Sequence, residues 1–176
     1  MDNFLNSNLL ISIITFLVGG FAICLYIKQK VDHEKDAAKL ILQEIRYAEQ
    51  QIRNFRVIGS YSLADKLLPT NSWHKNIHLF VGKLKETEID MISRFYSNSA
   101  YLDIVISKIS DKKNDILTQI NPSPSSPTIP LLPINTFELN SNKILIEVSQ
   151  KIEFIYNTPA VGKLRELAEK RRFFIL

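Results

Sequence analysis

Two histidines, His74 and His78, have a spacing that suits chemistry. On a helix, side chains four residues apart share a face, and imidazole pairs so placed occur in zinc sites. His74 is not followed by glutamate, so the H-E-x-x-H metalloprotease motif is absent. A third ligand would have to come from a residue such as Glu86 or Glu88. We therefore interpret both as surface histidines and expect no metal site.

Other catalytic patterns are missing from the sequence. It has no G-x-S-x-G motif, and its five glycines are too scattered to form a phosphate-binding loop. Cys24 is the only cysteine, which excludes an intrachain disulfide and a cysteine-based metal site. We expect no catalytic residues, no cofactor and no enzymatic activity.

The charge balance also narrows the class of partner. The 176 residues contain 22 Lys and Arg against 18 Asp and Glu, a net charge of +4. This mild excess suits a position near an anionic bilayer. No basic stripe with interleaved aromatic residues is present, so we expect no nucleic-acid partner.

The elements that carry these residues begin with a long apolar run. From Asn3 to Ile27 there are 25 consecutive uncharged residues, which as a helix span roughly 37 Å, more than the ~30 Å hydrocarbon core of a bilayer. The start "MDNFLNSN" lacks the positive charge of a signal peptide, and the residues before Cys24 do not fit a lipoprotein site. We predict an uncleaved transmembrane helix at residues 9–27.

Charges flanking this span predict its orientation. Lys28, Lys30, Lys35 and Lys39 follow it, and no basic residue precedes it. Because basic flanks stay in the cytoplasm, we place residues 1–8 outside and residues 28–176 inside. The abundance of Ile, Lys and Asn favours a bacterial host, and hence the inner (cell) membrane.

Small residues one helical turn apart within the span form a predicted packing face. Such residues allow two membrane helices to approach closely, which makes a homo-oligomer an alternative. Glycine is also simply common in membrane helices, so the pattern has a second explanation. The residues are Thr15, Gly19, Gly20 and Cys24.

The membrane helix is predicted to continue to about Phe55, because no Gly or Pro occurs from Phe21 to Ile58. Its apolar positions follow alternating three- and four-residue steps, interrupted at Glu34. Leu40 and Leu42 widen this stripe, which favours packing in a bundle over a free coiled coil. Glu49 and Arg53 are predicted to pair on the outer face. The stripe comprises Val31, Ala38, Ile41, Ile45, Ala48, Ile52 and Phe55.

Four more helical segments precede and follow a proline-rich stretch. A short helix capped by Asn71 or Ser72 carries Trp73, Ile77, Phe80, Val81 and Leu84 on one side. A helix of about 35 residues begins near Glu86, with a stripe that must pack to avoid water. A third long helix carries Leu145, Val148, Ile152 and Ile155, and a last one begins at Pro159 with Val161, Leu164, Leu167 and Ala168 inward.

The proline-rich stretch is residues 121–135, "NPSPSSPTIPLLPIN". Pro124, Pro127, Pro130 and Pro133 recur every third residue, which matches one face of a polyproline II helix. Such a face binds aromatic grooves on other proteins. No arginine flanks the prolines, so we favour a stiff linker and keep partner binding as the alternative.

Together these patterns predict an all-α protein. A single transmembrane helix continues into a long cytoplasmic helix that joins a helical-bundle or coiled-coil-like domain. The expected partners are the lipid bilayer and an unidentified protein. We expect a membrane-anchored interaction or scaffold module; the alternative is a self-assembling membrane-active protein that oligomerises through its span. The closing "RRFFIL" is expected to dock on the bundle, or else to contact the inner leaflet.

Overall fold

All described elements of this protein are helices. The structure, a computed structural model, describes residues 2–59, 66–120 and 132–169, with side chains for 9–59, 66–118 and 135–169. Within these ranges no strand is present, and the predicted all-α class is confirmed. The elements are α1 (Asp2–Ile58), α2 (Ser72–Asn76), a 3-10 turn (Ile77–Leu79), α3 (Glu86–Ile120), α4 (Leu132–Gln150) and α5 (Pro159–Glu169).

The first helix, α1, is unbroken over 57 residues. At 1.5 Å per residue it is about 85 Å long. It ends at Gly59, whose φ is 71° and whose N–H donates to the Phe55 carbonyl at 2.8 Å. Glycine adopts this left-handed conformation at little cost, so Gly59 provides a suitable end for the helix.

The N-terminal part of α1 is a candidate membrane span. Its most apolar window of 18 residues has a mean hydropathy of 2.5, and none of that window is buried against the rest of the protein. Among the described residues it is the one helix that is long and apolar enough to cross a bilayer. Large apolar side chains such as Phe16, Leu17 and Phe21 are largely exposed.

The C-terminal part of α1 forms the centre of the apolar core. The predicted stripe is confirmed from Ala38 to Phe55, where its six residues are buried. Val31 and Leu40, by contrast, are exposed and lie outside the core. Glu34, which interrupts the stripe, is itself buried and forms an ion pair with Lys83.

The other helices pack along this half of α1. α5 makes the most extensive contact with it, α2 also contributes, and α4 packs mainly on α3. From α3, the Tyr96 hydroxyl reaches Ile41 and Glu44 on α1. α5 runs antiparallel to α1: the residues just before it contact Glu49, while Lys163 farther along pairs with Glu88 at the start of α3. That end of α3 adjoins Lys83, the partner of Glu34.

The segment 72–84 is not the single helix that the pattern predicts. α2 has only five residues and gives way to the 3-10 turn and then to Gly82, whose φ is 84°. Trp73, Phe80 and Leu84 are buried as expected, but Val81 is exposed. The helical spacing fails because the chain turns at Gly82, which moves Val81 to the surface.

Helix α3 has the predicted start and length, with 35 residues from Glu86. It is buried at Ile92, Phe95, Leu102 and Ile106. Ile109 and Ile116, in the second half, are only half-buried. Beyond Ile106, α3 therefore leaves the core, and the ion pair of Lys113 with Glu138 connects this part to α4.

The third predicted long helix ends earlier than its apolar spacing suggests. α4 stops at Gln150, and Ile152 and Ile155 lie in an irregular connection, although both side chains are buried. α5 begins at Pro159 as predicted, with Val161, Leu164 and Ala168 buried and Leu167 half-buried. The spacing identified the buried residues but gave the wrong backbone at Ile152 and Ile155.

The predicted linker 121–135 also has a corrected boundary. α4 begins at Leu132, so Pro133 lies in the first turn of a helix instead of a polyproline stretch. Proline is well tolerated there, because the first helical N–H groups have no partner within the helix and its φ already suits a helix. Pro124, Pro127 and Pro130 lie outside the described residues.

Replacing Ile45 by alanine tests whether the stripe on α1 is the core. Ile45 is 0% exposed and Leu40, on the same helix, is 52% exposed. We expect Ile45→Ala to lower the free energy of unfolding by about 2 to 5 kcal/mol and the control Leu40→Ala by about 0.5 kcal/mol or less. Urea unfolding in a mild detergent measures both. Equal losses would mean that the core lies on another face of α1.

Candidate functional site

Glu44, in the middle of α1, is the most highly connected polar side chain in the described core. Its Oε1 accepts from the Thr70 N–H at 2.9 Å and from the Thr70 hydroxyl at 2.6 Å. Its Oε2 accepts from the Ser72 N–H at 2.7 Å and from the Tyr96 hydroxyl at 3.1 Å. Both oxygens are therefore saturated, and the carboxylate holds the entry to α2 against α1.

These contacts shift the acid–base behaviour of both groups. Burial raises the pKa of Glu44, but the hydrogen bonds from Thr70, Ser72 and Tyr96 outweigh burial and hold it below its ordinary value. Burial, and then the neighbouring charge of Glu44, raise the pKa of Tyr96 far above its ordinary range. At neutral pH the pair is a fixed carboxylate and a neutral phenol, so neither group is poised to transfer a proton.

Glu44 also replaces the helix cap that the sequence suggests. Asn71 precedes α2 in a left-handed conformation with φ 49°, and its side chain makes no capping hydrogen bond. Instead it contacts the His74 ring nitrogen Nδ1 at 3.1 Å. The carboxylate of Glu44 reaches the Ser72 N–H from α1, where negative charge at a helix start is favourable.

Glu49 and Arg56 stabilise the irregular connection between α4 and α5. Glu49 accepts from the N–H groups of Ile155 and Tyr156 at 2.5 and 2.7 Å. Arg56 donates to the carbonyls of Ser149 and Ile152. Glu49 is thus buried and bound to backbone, and the predicted outer-face pair of Glu49 with Arg53 is wrong.

Asp103 on α3 binds the backbone of the connection between α1 and α2. Its two oxygens accept from the Leu67 N–H at 2.8 Å and the Leu68 N–H at 3.2 Å. Burial raises the pKa of Asp103 despite these hydrogen bonds and the charge of Lys66. Three carboxylates, Glu44, Glu49 and Asp103, therefore serve the backbone of irregular segments, which is a structural use.

The histidine pair lies away from these carboxylates. His74 is in α2 and His78 in the 3-10 turn, and both are exposed. Their spacing therefore does not fall on one continuous α-helix. Within the part of the chain that the structure describes, no group of three His, Cys, Asp or Glu residues could hold a metal ion.

The predicted membrane packing residues are accessible on α1. A methyl group added at Gly19 or Gly20 would meet no atom within 4 Å, and Cys24 is exposed. The Thr15 hydroxyl donates to the Ile11 carbonyl of its own helix at 2.9 Å. Thr15 and Gly19 lie about 140° around the helix from Gly20 and Cys24. They form two stripes, and a packing role for either stays a prediction.

An apolar groove lies between α3 and α4. Its volume is about 460 Å³, and it follows α3 from Tyr101 to Lys112. The side chains of Tyr101, Ile104 and Ile144 in this groove are each at least half exposed. Lys108 and Lys112 are the charged residues in its lining. This groove had no signal in the sequence beyond the length of α3.

The buried carboxylates did leave a signal that the apolar pattern overlooked. Glu44 is three residues after Ile41 and four before Ala48, and Glu49 is four after Ile45 and three before Ile52. Both therefore stand within the buried stripe and not opposite it. A charged residue at such a spacing must be paired or hydrogen-bonded if it is buried.

Comparison with known proteins adds no relative. No family model, curated protein or solved structure matches this chain. The fold and the site geometry are accordingly the basis for a functional proposal.

Replacing Glu44 by glutamine tests its structural role. Glutamine keeps the size but has one acceptor oxygen, so we expect a loss of about 1 to 3 kcal/mol in the free energy of unfolding at neutral pH. The control Glu147→Gln alters a carboxylate that is 69% exposed, and we expect little change.

The same variant gives a pH signature. The pKa of Glu44 is lower in the folded state than in the unfolded chain. Its stabilisation is therefore fully present above the ordinary glutamate pKa of about 4.3 and is lost as pH falls through the folded value. The difference in free energy of unfolding between wild type and Glu44→Gln should shrink as the pH falls below about 4.3. A difference that stays constant down to strongly acidic pH would contradict this role.

Proposed function

We propose that this chain is a single-pass membrane protein whose helical domain binds a partner protein at the cytoplasmic surface. The observation that carries the proposal is the division of α1. Its first half is apolar and wholly uncovered, and its second half is the centre of a core to which the four other helices contribute. Uncovered apolar surface of this length suits lipid, since water would penalise it.

The domain boundaries in this proposal follow α1. Residues 1–8 lie outside, residues 9–27 cross the membrane, and residues 28–176 form a cytoplasmic helical bundle. The first buried residue after the span is Glu34, about 10 Å along the helix from Ile27. The domain would therefore be close to the bilayer and held at a fixed height by a helix without a break.

A binding role is supported over catalysis by the use of the polar groups. The buried carboxylates of Glu44 and Glu49 and the half-buried carboxylate of Asp103 are occupied by backbone N–H groups. The α3–α4 groove, by contrast, offers half-exposed aromatic and aliphatic side chains, a composition common in protein-binding surfaces. We therefore assign the chain no enzymatic reaction and no nucleic-acid partner.

The alternative function is self-assembly through the span. It is supported by the open space around Gly19 and Gly20 and by the exposed Cys24. In that case the binding partner is a second copy of the chain.

Photo-crosslinking in living cells separates the two functions. A photoreactive phenylalanine analogue at Tyr101, in the groove, should give a discrete adduct with a different protein. The same analogue at Val57, which is 82% exposed on α1 outside the groove, is the matched control and should give none. Adducts of twice the chain mass, together with oxidative dimers through Cys24, would favour self-assembly. The absence of any adduct at Tyr101 and Ile144 would contradict partner binding at this groove.

Orientation is tested by labelling a single cysteine. In a Cys24→Ser background, a cysteine replacing the exposed Lys112 should react with a membrane-impermeant maleimide in inverted vesicles and stay unlabelled in intact spheroplasts. Labelling in spheroplasts would place the domain on the outer side of the membrane. Extraction of the protein by alkaline carbonate would contradict a membrane span.

A further inference from the structure

Arginine is concentrated at one place in the described structure. Four of the five described arginines surround the connection 154–156 between α4 and α5. They come from both α1 and α5, which lie side by side here. These arginines are Arg46, Arg53, Arg56 and Arg165; the fifth, Arg94, is on α3.

Two of the four are used to hold the fold. Arg56 donates to the carbonyls of Ser149 and Ile152, and its guanidinium lies 4.8 Å from the centre of the Phe154 ring. Arg165 donates to the Tyr156 carbonyl at 3.3 Å and lies 5.1 Å from the ring of the same residue. Their positive charge stays at this site while their donors are partly occupied.

The other two, Arg46 and Arg53, are exposed and line a cleft of about 180 Å³ with Gln50 and Tyr156. Neither makes an ion pair with a carboxylate in the described ranges, although Arg53 lies 5.3 Å from the Phe154 ring. Glu49 is the one carboxylate in the lining, and its Oε1 accepts from two backbone N–H groups. The guanidinium groups of Arg46 and Arg53 therefore keep donors for an outside acceptor.

The position of the cleft along α1 rules against lipid as that acceptor. This step rests on the proposed membrane anchoring. Arg46 is 19 residues beyond Ile27, which corresponds to roughly 28 Å along the helix axis. Charge interactions are screened over about 8 Å at physiological ionic strength. Lipid headgroups at the bilayer surface would be too far away to neutralise these arginines.

We propose that the cleft binds an acidic segment of a partner protein, with Asp or Glu carboxylates held by Arg46 and Arg53. Guanidinium forks bind carboxylates through paired hydrogen bonds, and arginine clusters recognise acidic motifs in this way. The two arginines are seven residues apart, or about 10 Å along α1. A short run of acidic residues spans that distance and engages both.

The test uses the purified full chain in neutral detergent micelles and rhodamine-labelled hexaglutamate as the probe, followed by fluorescence anisotropy at low salt. Arg46→Gln combined with Arg53→Gln should weaken binding by about tenfold. Lys108→Gln combined with Lys112→Gln removes the same charge from the α3–α4 groove and should weaken it less than about twofold. Arg46→Lys with Arg53→Lys keeps the charge, loses the planar fork and should lie between wild type and the glutamine pair.

Three outcomes would overturn the proposal. Equal losses in the arginine and lysine pairs would mean general charge attraction. Unchanged binding in the arginine pair would place the acidic segment elsewhere. Inorganic phosphate that binds in an arginine-dependent manner, with no binding of hexaglutamate, would assign the cleft to phosphoryl groups.

The controls keep this test independent of the fold and of the proposed function. Arg46 and Arg53 have exposed side chains, and thermal unfolding of each variant should match wild type. Loss of the acidic-peptide site would leave the membrane labelling and the groove crosslinks unchanged. Failure of the membrane span would instead remove the argument against lipid and leave the anisotropy result standing.

Discussion

Two buried carboxylates on one helix, Glu44 and Glu49, hold the irregular parts of this domain in place. Each accepts hydrogen bonds from backbone N–H groups that have no partner within a helix. An unpaired backbone N–H in a core costs free energy comparable to a lost hydrogen bond, and an unpaired buried carboxylate costs more. The hydrogen bonds between them satisfy both the N–H groups and the carboxylates. α1 thus fixes where the chain enters α2 and where it leaves α4.

This arrangement explains how polar and apolar burial share a single helix. The stripe from Ala38 to Phe55 supplies the core, and the carboxylates within it face the places where the covering chain is irregular. Arg56 stabilises the connection between α4 and α5 by donating to the carbonyls at the end of α4, where positive charge is favoured. Tyr156, in the segment that these groups hold, also lines the arginine cleft, so the same contacts that close the fold position this cleft.

The sequence predicted most of the regular structure, for physical reasons. Apolar periodicity located α1, α3 and α5 and most of the buried side chains, with the lack of Gly and Pro from Phe21 to Ile58 extending α1 and Pro159 marking the start of α5. It failed where backbone is controlled from a distance: Ile152 and Ile155 are buried but not helical, because Glu49 and Arg56 are more than ninety residues away in sequence. It also misassigned Glu49, since a helical-wheel argument counts a charged residue as solvent-facing. The groove and the cleft depend on the packing of separate helices, which a local pattern does not encode.

The unbroken course of α1 makes the candidate membrane span and the folded half rotate as one body. Each residue of an α-helix turns the chain by about 100°. Any side chain of the span therefore has a fixed angular position around the helix axis relative to the α3–α4 groove and the arginine cleft. A one-residue insertion near Lys30 would rotate both surfaces by about 100° around the helix axis. An insertion of seven residues would nearly restore their angular position and would move the domain by roughly 10 Å along the axis. Tilt of the helix in the bilayer would be passed on in the same way, so the thickness of the surrounding membrane would set the direction in which the domain presents its surfaces.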